Sequence, residues 1–232
     1  MDTKGKLIVI EGVDGSGKET QTGELYAHLW SDGRRPMQVS YPRYHRDSSA
    51  MVRKYLAGEF GRDPGDVSPY VASTFYAADR YASYKEDLED FLGAGGIVLA
   101  DRYTTSNMVH QAGKLSDPKE RRAFLKWLTD YEFGLLGLPV PDAIFFLDIP
   151  PEVSAMLMAG RANKITGEAK KDIHEAHPEY LRQSYANARE LAVDYGWRMI
   201  NCIEGDKLRS IEDIHQEIYG QVKALLAEDD RV

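Results

Sequence analysis

Apolar residues along this chain gather in five short, continuous runs: 6–11 (KLIVIE), 37–41 (MQVSY), 97–101 (IVLAD), 143–148 (AIFFLD) and 197–201 (WRMIN). Runs that are continuous rather than alternating, and rich in Val, Ile and Phe, suit strands buried on both faces, as in a parallel sheet. Segments 18–31, 48–57, 69–92, 104–112, 118–134, 151–160, 176–194 and 210–227 have helix-like composition and length. Pro69, Pro118, Pro151 and Pro178 fall near helix starts, where a missing amide costs little. Strand–helix alternation with right-handed crossovers predicts an α/β fold, a doubly wound parallel five-stranded sheet flanked by helices. With no internal repeat and no linker, residues 1–232 read as one domain. Two long irregular stretches remain, 58–68 and 160–175. The second carries Arg161, Lys164, Lys170 and Lys171, and reads as a lid or binding loop, or as a solvated surface loop.

Composition changes this picture little. Apolar residues at 43% and charged residues at 28% describe an ordinary globular chain. A net charge of −8 argues against a sequence-independent partner of nucleic acid, which needs basic surface to replace counterions. Cys202 is the only cysteine, so no intramolecular disulfide forms and a reducing compartment is expected. It follows the apolar stretch Trp197–Ile200 and reads as an inert, half-buried thiol. The apolar runs Leu7–Ile10 and Ala143–Leu147 are too short for a signal segment or a membrane helix, so a cytoplasmic protein with no membrane partner is expected.

The chemistry begins at Gly12-Val13-Asp14-Gly15-Ser16-Gly17-Lys18, which fits G-x-x-x-x-G-K and lies between a strand and a helix, the context that gives the motif meaning. Glycines let backbone amides curl around phosphate oxygens, the helix N-terminus favours negative charge, and Lys18 reaches the outer phosphates. Glu19 stands where the pattern has a magnesium-ligating Ser or Thr, and Thr20 follows. A carboxylate there binds metal or points to solvent; solvent is the favoured reading.

A phosphate loop says only that a nucleoside triphosphate binds. Three more segments narrow the chemistry: Ser40-Tyr41-Pro42-Arg43-Tyr44, Tyr76-Ala77-Ala78-Asp79-Arg80, and Asp101-Arg102-Tyr103 with Ser106, Asn107 and Gln111. Two of them leave the carboxyl ends of strands, where ligands bind in a doubly wound sheet. Tyr76 and Arg80 share a helix face, as do Asn107 and Gln111. A ring and a guanidinium so placed suit a planar base, and Arg102 suits an anionic acceptor through bidentate hydrogen bonds. Each residue also has a structural reading: Tyr76 as core, Arg80 paired with Asp79 or Glu86, Asp101 and Arg102 as an internal ion pair.

The pieces IEGVDGSGKETQ (10–21), YPRY (41–44), FYAADRY (75–81), VLADRYTTSNMVHQ (98–111) and PDAIFFLDIPPE (141–152), with the basic loop from Arg161, make the chain resemble the thymidylate kinase family along nearly its whole length. The resemblance implies a P-loop NTPase-type fold with a lid at about 160–175. It implies phosphorylation of dTMP to dTDP with ATP and magnesium in dTTP biosynthesis, and a homodimer. It assigns Gly12, Asp14, Gly15, Ser16, Gly17, Lys18, Glu19, Thr20 and Arg161 to ATP, and Asp101 to magnesium through water. Asp14 would approach the deoxyribose 3′-hydroxyl, Tyr76 would stack on thymine, and Arg80 would hydrogen-bond to it. Asn107 would lie against the base, and Arg102, with Arg43 and Tyr44, would hold the monophosphate. Lys18, Arg102 and Arg161 become the catalytic cations. There are two departures: His110 stands where relatives commonly have tyrosine, and Gly15 where some carry a catalytic arginine. The charge-stabilising role then falls to the lid, with Arg161 first and Lys164 or Lys170 second. The acceptor is an ionised phosphate oxygen, so no general base is required and catalysis reduces to alignment and charge stabilisation. A kinase for another nucleotide or nucleoside, or a nucleotide-binding module without transfer activity, are the competing readings.

Overall fold

A computed structural model describes residues 5–158, 173–174 and 177–229 of the 232. Five strands, β1 (Lys6–Gly12), β2 (Pro36–Ser40), β3 (Ile97–Asp101), β4 (Ala143–Asp148) and β5 (Arg198–Asn201), form one parallel sheet in the order β2-β3-β1-β4-β5. The helices are α1 (Lys18–Ser31), α2 (Ala50–Leu56), α3 (Pro69–Ser83), α4 (Glu89–Gly93), α5 (Thr104–His110), α6 (Pro118–Thr129), α7 (Pro151–Met158), α8 (Pro178–Asp194) and α9 (Ile211–Asp229). All five strands fall where the apolar runs place them, within about two residues.

Side-chain alternation distributes each strand between two cores. Ile8 and Ile10 of β1 pack with Leu25 and Leu29 of α1 and Ile218 and Val222 of α9. Leu7 and Val9 face the other side, with Val98, Ala100 and Leu88. Phe145 and Phe146, adjacent and fully buried, divide in the same way. This two-sided burial is why the strands read as unbroken apolar runs, and truncating either Phe to Ala would cost about 3–5 kcal/mol.

Pro69, Pro118, Pro151 and Pro178 are each the first residue of a helix. Ser68 and Asp117 cap two of them, accepting from Tyr70 N at 3.3 Å and Lys119 N at 2.8 Å. The expected helix over 69–92 is instead interrupted by a π-turn at Tyr84–Leu88, and the one over 118–134 passes into a π-turn at Asp130–Leu135. Residues 203–208 form a small antiparallel hairpin, β6 (Ile203–Glu204) with β7 (Lys207–Leu208), too short for any periodic signal. The stretch read as a lid lies outside the described residues except for Ile173 and His174, and Arg161, Lys164, Lys170 and Lys171 fall outside with it. No helix among the described residues is long and apolar enough to cross a membrane.

Candidate active site

Because the strands are parallel and in register, their carboxyl ends meet along one edge. Ile10 pairs with Asp101 and Ser40 with Asp101, so β1, β2 and β3 release their chains side by side. The chain leaving β1 turns through the phosphate loop and enters α1 at Lys18. Gly15 (φ 77°) and Gly17 (φ 89°) take the left-handed backbone that this turn demands and that other residues resist. Lys18 is buried, its Nζ donating to Val13 O at 2.8 Å. Burial, then the nearby Arg102 guanidinium, push its ammonium down to about 8 against the pull of Asp14, Asp101 and Glu11. Glu19 is exposed on the first turn of α1 and Thr20 half-buried.

Arg102 begins the turn from β3 into α5 and is the only non-glycine residue with positive φ (68°) among those described. Its amide donates to Ile10 O at 3.1 Å, holding it against β1, while its side chain reaches across to the phosphate loop. There Nη2 pairs with Asp14, and Nη1 donates to Ser106 Oγ at 3.3 Å and meets His110 Nε2 at 3.4 Å. Burial alone would raise the Asp14 carboxyl, but Arg102 and Lys18 outweigh it and hold it well below the usual carboxylate range. Glu11, fully buried, accepts from Gly12 N (2.9 Å), Thr105 Oγ1 (2.6 Å) and Ser106 Oγ (2.8 Å), and lies 3.8 Å from Arg102 Nη1. The ion pair read between Asp101 and Arg102 is therefore replaced by one between Arg102 and Asp14. Asp101 keeps one buried oxygen, Oδ1, without a partner, and Ser16 Oγ is likewise unpartnered.

Adjacent residues of α3 hold the two acceptor-side loops from opposite directions. Asp79 accepts from the Arg43 amide at 2.7 Å and from its Nε at 3.3 Å. Arg43 Nη1 also donates to Glu86 and Asp87 at 3.1 Å each. The wider π-turn at 84–88 brings these consecutive carboxylates to one guanidinium. Three carboxylates thus surround Arg43, and the loop it belongs to presents the half-buried Tyr44. Arg80, fully buried, forms a bidentate pair with Glu132: Nε to Oε2 at 2.7 Å and Nη2 to Oε1 at 2.6 Å. Its partner is thus neither Asp79 nor Glu86. Glu132 also accepts from Thr104 Oγ1 at 2.6 Å, and Arg80 Nη1 reaches Tyr103 O at 3.4 Å. Tyr76 is half-buried, its ring edge-on to Tyr55 at 6.4 Å. Asn107 is buried, with Nδ2 3.5 Å from Ser73 O.

Sequence reasoning left Glu132 inside a helical segment, and no local signal marks it, since its partner is 52 residues away. The same holds for His174. Its ring lies 5.9 Å from that of His110, nearly parallel, and its Nε2 meets Tyr55 Oη at 3.0 Å. Lys114 Nζ donates to the same Tyr55 oxygen at 2.9 Å. Burial, then Arg102, push His110 down to about 3, so it faces the guanidinium as a neutral acceptor.

A phosphate loop opening a helix beside a cationic acceptor cleft, at the carboxyl ends of a β2-β3-β1-β4-β5 parallel sheet, defines a P-loop kinase. The family model described as thymidylate kinase matches residues 10–218, and the chain belongs to this family. A thymidylate kinase of Mycobacterium tuberculosis is 33% identical over 192 residues, covering 82% of this chain and 87% of its own. One of Halothermothrix orenii is 30% identical over 225 residues, covering 96% and 99%. One of Plasmodium falciparum is 27% identical over 227 residues, covering 97% and 93%. Among solved structures, thymidylate kinase from Candida albicans superposes with a TM-score of 0.70 over 95% of this chain and 92% of its own. At 19% identity it speaks for the fold.

Proposed function

We propose that this protein transfers the γ-phosphoryl group of ATP to dTMP, giving dTDP and ADP. The observation that carries the reading is the meeting of Lys18, Asp14 and Arg102, which sets a phosphate-loop cation and an acceptor-side cation about one carboxylate. An oxygen of the acceptor phosphate attacks the γ-phosphorus as the bond to the β-bridging oxygen breaks, and no proton need move. Lys18 and the loop amides of residues 12–18 hold the donor phosphates, and Arg102 holds the acceptor phosphate. When dTMP occupies the cleft, Asp14 exchanges part of its contact with Arg102 for the sugar hydroxyl. Tyr44 borders the phosphate, while Tyr76, Arg80 and Asn107 surround the base. Arg43 acts by holding the loop that carries Tyr44, because its donors face Asp79, Glu86 and Asp87. Arg161 is proposed as the cation nearest the transferring group from the 160–175 stretch.

Magnesium fits the residues present. Among the described residues no group of three or more His, Cys, Asp or Glu could hold a metal ion alone. This suits an ion that takes most of its ligands from phosphates and water. Asp101, with Oδ1 unpartnered, is the residue to hold it. When bound, the ion supplies charge neutralisation at the β- and γ-oxygens.

A homodimer through α3 is part of the reading, supported by exposed Val71 (49% exposed), Ala78 and Tyr81 (42%), with the half-buried Thr74 among them. The solution mass by sedimentation tests it. The substrate is tested by ADP release with dTMP, dUMP, dGMP, AMP and thymidine. Highest kcat/KM with dTMP is expected; turnover of thymidine but not dTMP would overturn the assignment.

A further inference from the structure

The guanidinium of Arg102 leans on α5 before any ligand arrives. Ser106 and His110 lie four apart on that helix, so they share a face one turn apart. Nη1 of Arg102 meets both, Ser106 Oγ at 3.3 Å and His110 Nε2 at 3.4 Å. Ser106 gives its own hydrogen to Glu11 Oε2 at 2.8 Å, which leaves its lone pairs for the guanidinium. A guanidinium donates and never accepts, so His110 Nε2 meets it as a bare acceptor and the ring hydrogen sits on Nδ1. Nδ1 is buried without a partner among the described residues whichever tautomer the ring adopts, so the choice of tautomer rests on Nε2. The ring is held in place from other directions. His174 lies nearly parallel at 5.9 Å, Tyr180 lies at 6.1 Å, and Tyr180 Oη donates to His110 O at 2.9 Å.

We infer that His110 is a positioning residue for the acceptor phosphate: with Ser106 it takes up Nη1 of Arg102, and so fixes the plane in which the remaining donors of that guanidinium meet phosphate. The inference rests on the reading of Arg102 as the acceptor-side cation. With Nη1 bonded to Ser106 and His110 and Nη2 paired with Asp14, the Nε hydrogen and one on Nη2 remain for the ligand. A guanidinium held by Asp14 alone could swing on its flexible stem, and the loss of that freedom would weaken phosphate binding. Held from three sides beforehand, it is preorganised. The imidazole suits this role because burial and then Arg102 keep it neutral; an imidazolium would set N–H against N–H.

Two substitutions separate the acceptor atom from the ring. His110→Phe keeps a ring for His174 and Tyr180 to pack on and removes the acceptor. His110→Gln keeps an acceptor at about the reach of Nε2 and removes the ring. Dissociation constants for dTMP and for thymidine, which lacks the phosphate, are measured by calorimetry on the folded proteins. His110→Phe is expected to weaken dTMP about tenfold, the scale of one hydrogen bond to a charged group, and thymidine less than about twofold. His110→Gln is expected to stay within about threefold of wild type for both ligands. A role in packing alone predicts the reverse order, with Gln the more damaging. That order overturns the inference, as does an equal loss of both ligands, or no loss of either, in His110→Phe. A nitrogen NMR spectrum of the wild type is the second measurement, and it decides if the variants do not fold. A bare Nε2 and a protonated Nδ1 on His110 at neutral pH support the inference, and a protonated Nε2 overturns it. A wild type that ignores dTMP but uses another nucleoside monophosphate overturns the substrate reading. The same comparison, made with that nucleotide and its nucleoside, then decides the role of His110.

Discussion

Replacing Arg102 with alanine and, separately, with glycine divides the two things this residue does. The side chain brings a guanidinium to Asp14, Ser106 and the edge of the phosphate loop, and either substitution removes it. Loss of one such charge contact lowers kcat/KM by about 10²–10³-fold, roughly 3–4 kcal/mol, so both variants are expected to lose that much. The backbone is a separate matter. At φ 68° a residue with a Cβ is held in the left-handed region at a cost of about 1–2 kcal/mol, which glycine does not bear. Glycine gives back about 0.4–1 kcal/mol through the greater freedom of its unfolded chain. The glycine variant should therefore be the more stable of the two by about 0.5–1 kcal/mol, or about 1–4 °C in Tm for a chain of this size. Calorimetry and the coupled ADP assay read the two effects independently. An alanine variant that melts at or above the glycine variant refutes the strain argument. A folded Arg102→Ala protein with near-wild-type kcat/KM refutes the acceptor role.

Two titrations give further outcomes. His110 stays neutral in the folded protein down to about 3, whereas an unfolded histidine takes up a proton below about 6.5. Its contribution to stability is therefore present above about 6.5 and is lost as the pH falls from there toward 3. Between pH 6.5 and 5 the loss is on the order of 2 kcal/mol, and urea unfolding of His110→Gln should be less sensitive to acid by about that amount. Equal acid sensitivity would remove the buried-histidine account. Lys18, pushed down to about 8, should make ATP binding in the free enzyme weaken by about tenfold from pH 7 to pH 9. Proton uptake should appear as a buffer-dependent heat of binding. A flat affinity over that range means that Lys18 is not the titrating contact.

The five strands and the phosphate loop were legible because each is written locally. A strand buried on both faces needs only a short run of apolar side chains, and the loop needs its glycines and lysine at fixed spacing between a strand and a helix. That two acceptor-side segments leave the carboxyl ends of strands was legible too, whereas the register that sets Ile10 and Ser40 beside Asp101 came from the fold. The two π-turns were not legible, since nothing local in 84–88 or 130–135 announces the wider turn in which Glu86, Asp87 and Glu132 meet distant arginines.

The acceptor side shows the limit most clearly. From the sequence, Arg43 was expected to help hold the acceptor phosphate, and Arg80 to meet the base or to pair with Asp79 or Glu86. Only the fold decided that Asp79, Glu86 and Asp87 surround Arg43 and that Glu132 takes one edge of Arg80. Those carboxylates lie 36 to 52 residues from their partners. The sequence by itself determined which backbone would cradle phosphate, because local geometry follows from nearby residues. Which charges stay free to meet a ligand depends on burial and on partners brought from far along the chain, and the tertiary structure alone settled that.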